Sequence, residues 1–262
     1  MNRPTFYDPI KVKVSRHFDA DLINKIVNHP DVYQWVHGAV EGELDLSLLI
    51  QDHNHHLVMG SHGGILFHCQ SPGLYEAHTQ VLPDHRGEWA VDMTRAALRY
   101  AFSSTDAVEI FTRVPKGNLG ARALVKNIGG VLEFRRRDGW VKDGVSIPAD
   151  IYTMKVQDWV RTSPGLVERG KWFDTKLRQE LSAHKVSLPL IDEEDYFRYS
   201  GAAVEMMLGG QAHKAVVLYN RYAAMAGRPP ISLLTSSSAL VDIGQGIIIK
   251  PRYNDFWVVS CR

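Results

Sequence analysis

Alternation of apolar and polar residues along the first 160 positions sets out a series of short elements. IKVKV (10–14) alternates and predicts a strand. DADLINKIV (19–27) predicts a short helix, with Asp19 or Asp21 placed to cap it, and NHPDVYQWV (28–36) predicts a second. LDLSLLI (44–50), HLVMG (56–60) and GGILFHC (63–69) are strand-like, separated by polar and glycine-rich turns. LYEAHTQV (74–81) alternates again. After Gly87 the apolar positions Ala90, Met93, Ala97 and Ala101 fall on a helical stripe. VEIFTRV (108–114) predicts a strand, NLGARALVKNIGG (118–130) a helix with a glycine stop, and VLEFRRR (131–137) and DIYTMKV (150–156) two closing strands. The order is α+β, with a crossover helix after the strand at 74–81.

TSPG (162–165) marks a boundary. Beyond it, Phe173, Leu177 and Leu181 recur every four residues, and two further helical stretches end in glycines before GRPP. ISLL, ALVDI, GIIIK and FWVVS then predict short strands, with GQG (244–246) as a hairpin turn. Two domains are therefore expected, 1–160 and 161–262, the second carrying helices and short strands.

Composition narrows the class. Of 262 residues 45% are apolar, enough for real cores, and 30 basic against 29 acidic residues leave a net charge of +1. That balance disfavours a duplex DNA binder. Two cysteines, Cys69 and Cys261, have no ligand-like spacing and suit a reducing compartment. MNRPTFYDPIKVKV has no apolar signal core, and no apolar run approaches the roughly 20 residues that span a bilayer. A soluble intracellular protein is expected.

Candidate chemistry gathers at VLPDHRGEWA (81–90), where a strand gives way to a helix. A helix start exposes unpaired backbone N–H groups and partial positive charge, and so suits phosphate. Arg86 adds a cation and Gly87 lets the backbone bend close to a ligand. The same residues also make an ordinary structural turn. Glu76 and His78 lie on one face of the preceding strand, where either could act as a base, directly or through water, or both could be polar residues on an exposed face. Asn118 is placed to cap its helix. HNHH (53–56) is the densest group among twelve histidines. It lacks a helical His-x-x-x-His pair and a neighbouring Cys, so no metal site is expected. Arg135, Arg136 and Arg137 predict a solvated face or a patch for an acidic partner.

Val81, Pro83, Arg86 and Gly87, with Asn118, Ala121, Leu124 and Gly129, match in spacing two segments of the GNAT superfamily of N-acetyltransferases, which residues 5–157 resemble. The resemblance implies a GNAT-like mixed central sheet flanked by helices and acetyl-CoA as co-substrate. It implies a cofactor loop around Val81, Arg86, Gly87, Glu88, Trp89 and Ala90 with Asn118 nearby, and a base at Glu76 or His78. The chain departs from the family pattern at two points. Its small residues after Arg86 would fall on Trp89 and Val91, or on Ala90 with a shift of one. The tyrosine that protonates the leaving thiolate would fall at Val125, leaving Tyr152 or a water to act. The RGxWA variant is similar to that of GNAT-like proteins of tailed bacteriophages, some of which resemble a phage head-assembly protein. Two functions follow: an acetyl-CoA-dependent N-acetyltransferase acting on a small amine, a protein amine or a modified nucleotide, or an inactive GNAT-fold assembly protein contacting virion proteins or its own copies.

Overall fold

The computed structural model describes residues 9–38, 41–183, 185, 187–228, 230–234, 240–242, 247–252 and 255–261. The turn expected at 244–246 lies outside them. The chain divides into two compact units. One is Ile10–Phe102 with Asp106–Thr162; the other holds Ser103–Thr105 and the chain from Ser163 onward.

The first unit is the expected mixed sheet flanked by helices. Its strands are β1 (Ser15–His17), β2 (His56–Gly60), β3 (Gly63–Ser71), β4 (Leu74–Val81), β5 (Glu109–Pro115), β6 (Val131–Lys142) and β7 (Val145–Lys155). They lie side by side in the order β1-β2-β3-β4-β5-β7-β6. All neighbours are antiparallel except β4 and β5, which run parallel. The β4–β5 register pairs only Leu74, Tyr75 and Glu76 with Glu109, Ile110 and Phe111, so the two strands part beyond Glu76.

Each sheet face has its own cover. Helices α1 (Asp21–Val27), α2 (Pro30–Val36) and α3 (Ser47–Gln51) bury Ile23, Ile26, Val32 and Ile50 against Leu57, Met59 and Leu66. The opposite face presents the buried Val58, Ile65, Phe67 and Ala77. Helix α4 (Glu88–Ser104) lies along that side, Trp89 over Gly60 and the Tyr100 hydroxyl 3.4 Å from Nδ1 of His56. Its predicted stripe is fully realised, with Ala90, Met93, Ala97 and Ala101 all buried. Helix α5 (Leu119–Asn127) packs Val125 with Val114 and Tyr152, and α6 (Val156–Thr162) closes the unit.

Three sequence expectations need correction. Residues 10–14 alternate in burial but are not part of a strand; the ladder begins at Ser15. Residues 44–50 are not a strand, because side chains of α1 take their backbone donors: Asn28 Oδ1 accepts from Leu44 N–H at 2.8 Å and Asn24 Oδ1 from Leu46 N–H at 3.0 Å. Asp45 then accepts from Ser47 N–H at 2.9 Å and starts α3. Val156 begins a helix rather than ending a strand.

In the second unit α7 (Leu166–Ala183), α8 (Glu194–Leu208) and α9 (Ala212–Ala223) precede β8 (Ser232–Leu234), β9 (Leu240–Asp242), β10 (Ile247–Arg252) and β11 (Asp255–Cys261). The four strands form an antiparallel meander. Phe173, Leu177 and Leu181 are buried as the four-residue spacing predicts. Helices α7 and α8 touch through glycines: a Cβ on Gly201 would stand 2.0 Å from the Leu166 carbonyl oxygen. Beside this contact Asp174 is held at 2.7 Å by Nε of the buried Arg228, at 2.9 Å by Nε of Arg178 and at 3.2 Å by the Tyr196 hydroxyl.

Candidate functional site

The parting of β4 from β5 opens a cleft of about 940 Å³ in the first unit. Along its β4 wall run Ala77 to Val81, past the last pairing with β5, so that edge offers main-chain groups to a ligand. The mouth is the start of α4. A short 3₁₀ turn, Pro83–His85, leads into Arg86 and then Gly87, whose φ of +98° reverses the chain with open space where a side chain would stand. Val91 N–H bonds the Gly87 carbonyl at 3.1 Å and opens the helix ladder. The amides of Glu88, Trp89 and Ala90 therefore have no partner inside the helix.

Arg86, Gly87, Glu88, Ala90 and Val81, the residues of the expected loop, line the cleft. The Arg86 guanidinium is anchored by donating to the Asp31 carbonyl at 3.1 Å. Trp89 does not line the cleft: its ring lies among His62, His85 and Gly60, where His62 and His85 stack at 3.4 Å between centroids. The bulk of Trp89 is thus turned away from the cleft. Asn118 lines the cleft while capping α5, its Oδ1 accepting from Ala121 N–H at 3.0 Å.

Glu76 and His78 are brought together with a difference in depth. His78 reaches the cleft wall, whereas Glu76 is buried behind it and does not line the cleft. His78 Nε2 stands 3.9 Å from Glu76 Oε2, too long for a hydrogen bond. Arg113 on β5 donates to the same oxygen at 2.9 Å. Burial raises the Glu76 carboxyl above its ordinary range, with Arg113 opposing. Removal from water lowers the His78 imidazole, and the charges of His68 and Arg113 push the same way. His78 is therefore a neutral imidazole at pH 7, with 30% of its side chain still open to solvent for proton exchange. Val125 lines the cleft and has no proton to give, while Tyr152 lines it beside Val125 and Val114.

Sequence spacing missed Arg113 and His68. Both sit on strands other than β4: register places His68 directly across from Glu76, and Arg113 reaches it from β5. Arg135, Arg136 and Arg137 are exposed, as a solvated face requires, and Arg135 also holds the buried carboxylate of Asp150 through Nη2 at 3.1 Å and keeps that carboxyl below its usual range. Of HNHH, His55 is turned inward, its Nδ1 accepting from Cys69 N–H at 3.2 Å. Among the described residues no helix is long and apolar enough to cross a membrane.

The chain matches no family model and no curated protein. Among solved structures it is similar to a spermidine N-acetyltransferase from Vibrio cholerae in complex with CoA and spermine, at 16% identity and a TM-score of 0.48, over 57% of this chain and 98% of that one. It is also similar to RimJ of Mycobacterium smegmatis in complex with CoA-disulfide, at 14% identity and a TM-score of 0.36, over 40% and 53%.

Proposed function

We propose that this protein is an acetyl-CoA-dependent N-acetyltransferase whose chemistry takes place in the β4–β5 cleft. The observation that carries this is the combination, in one cleft, of an unpaired parallel strand edge, a helix start free to hold an anion, and a half-open neutral imidazole. Each answers one need of the reaction. The amides at Glu88, Trp89 and Ala90, with Arg86, suit a pyrophosphate. The open edge of β4 beyond Glu76 can pair with the amides of a pantetheine arm, as a sheet edge pairs with an added strand. Asn118 and Tyr152 stand on the opposite wall.

In the transfer, the acceptor enters as the free amine and attacks the thioester carbonyl, and His78 accepts the proton that the attacking nitrogen must shed. A β4 main-chain N–H steadies the developing oxyanion. The C–S bond then breaks, the acetyl group stays on nitrogen as the neutral amide, the thiolate leaves as the thiol after taking a proton from Tyr152, and the proton held by His78 returns to the Tyr152 phenolate through water. Glu76 acts through His78: its negative charge favours the imidazolium that forms.

The test is release of free thiol from acetyl-CoA in the presence of a panel of amines and of lysine-containing peptides. Turnover above the no-acceptor background is expected, and His78→Ala should lower kcat about 100-fold or more with acetyl-CoA affinity kept. Binding of acetyl-CoA with no turnover on any acceptor would instead favour the second function, a GNAT-fold assembly protein, consistent with Val125 where a thiolate acid would stand.

A further inference from the structure

We propose that His68, Glu76 and His78 form a binding site for a divalent transition-metal ion of the zinc class. The donor atoms of the three side chains all lie within 4.8 Å of one another. In a tetrahedral zinc site the ligand atoms stand about 2.0–2.2 Å from the metal. Ligand atoms at that distance from one ion stand about 3.3 Å apart, so closing the set draws the side chains together by up to about 1.5 Å. The backbone is fixed by sheet register: His68 is paired with Glu76, and His78 follows two residues along on the same face. Two imidazoles and one carboxylate select zinc, cobalt, nickel or copper, and disfavour magnesium and calcium, which take oxygen ligands.

The surroundings leave one position open. His78 faces the cleft, so a fourth ligand would come from water. His55 is not that ligand. Its ring meets His68 edge-on at 4.4 Å, its Nδ1 is occupied by the Cys69 amide, and its Nε2 lies 3.7 Å from Asp52. Arg113 opposes the ion, because its guanidinium already holds Glu76 Oε2 at 2.9 Å. That side chain is 36% exposed and can swing out, so metal and Arg113 compete for one carboxylate. The site stands on this geometry alone. One consequence rests on the transferase reading: an ion that occupies His78 and Glu76 removes the base, so zinc inhibits acetyl transfer.

Titration of the chelator-treated full-length protein with Co²⁺, read by its visible d–d absorption, tests the site without any need for turnover. One equivalent is expected to bind with a low-symmetry spectrum and to be displaced by Zn²⁺. His68→Ala and His78→Ala should each weaken binding by about tenfold or more, and His68→Gln, which keeps the side-chain volume, should do the same. Arg113→Gln should tighten it. His53→Ala and His62→Ala, outside the set, should leave it unchanged. The absence of a one-equivalent Co²⁺ complex, or a complex undiminished in both His68 variants, would overturn the proposal. A failure to bind acetyl-CoA would leave the Co²⁺ result standing, so the two readings fail separately.

Discussion

At the scale of the residue, burial decides the charge state of His56. His56 sits on β2 with its Nδ1 3.4 Å from the Tyr100 hydroxyl, and loss of water lowers its pKa from 6.5 to about 4. The unfolded chain takes up this proton near 6.5 and the folded chain only near 4, so acidification through that window favours the unfolded state. His56→Gln should therefore lose less stability than the native protein between about pH 7 and pH 5, measured by denaturant midpoints. Parallel loss in the two proteins would remove His56 as a contributor. Glu76 invites a sharper experiment. If it acts through His78, Glu76→Gln should lower kcat by less than His78→Ala does, with acetyl-CoA affinity kept; an equal or larger loss would place Glu76 itself at the acceptor. The pairing of Glu76 with His78 was legible in the sequence, because residues two apart on a strand share a face. Arg113 and His68 were not, because adjacency across strands depends on register that a single chain does not display.

Elements were legible where local chemistry and periodicity agree. The stripe of α4, the Asn118 cap and the strand β4 all appear where the pattern predicts them, although burial along β4 does not alternate. Patterns failed where tertiary partners override them. Residues 44–50 alternate like a strand, yet Asn24 and Asn28 of α1 claim their backbone donors and leave no ladder to make. Residues 10–14 show that alternation reports half-burial, not pairing. Two glycines make the contrast between backbone freedom and packing testable. Gly87→Ala meets open space but a φ of +98°, so it should cost about 1 kcal/mol and weaken acetyl-CoA binding by disturbing the bend. Gly201→Ala puts a methyl group 2.0 Å from the Leu166 oxygen, so it should cost about 2 kcal/mol or more by prying α7 from α8. A Gly201→Ala protein as stable as the native one would show that the two helices part without cost.

At the scale of the whole molecule, the cleft lies entirely within residues 31–154, inside the first unit. Ser103–Thr105 nonetheless belong to the second unit, where the Lys214 ammonium donates to the Thr105 carbonyl at 3.1 Å. A chain ended at Thr162 loses those partners, and it is expected to self-associate in sizing experiments. A monomeric fragment that binds acetyl-CoA as the full chain does would show that the two regions are independent. The role of 161–262 was the least legible part of the sequence, since its aromatics and apolar stripes specify a core and carry no ligand chemistry. We propose that it selects or presents the acceptor.

The central claim is that the β4–β5 cleft holds acetyl-CoA by the start of α4. Calorimetric titration of the full-length protein with acetyl-CoA tests it before any acceptor is known. The account predicts saturable one-to-one binding, weakened in Arg86→Ala by about 1.5–3 kcal/mol, the worth of a charge-assisted contact. No heat and no rise in melting temperature at millimolar acetyl-CoA, or full-strength binding in Arg86→Ala, would contradict it.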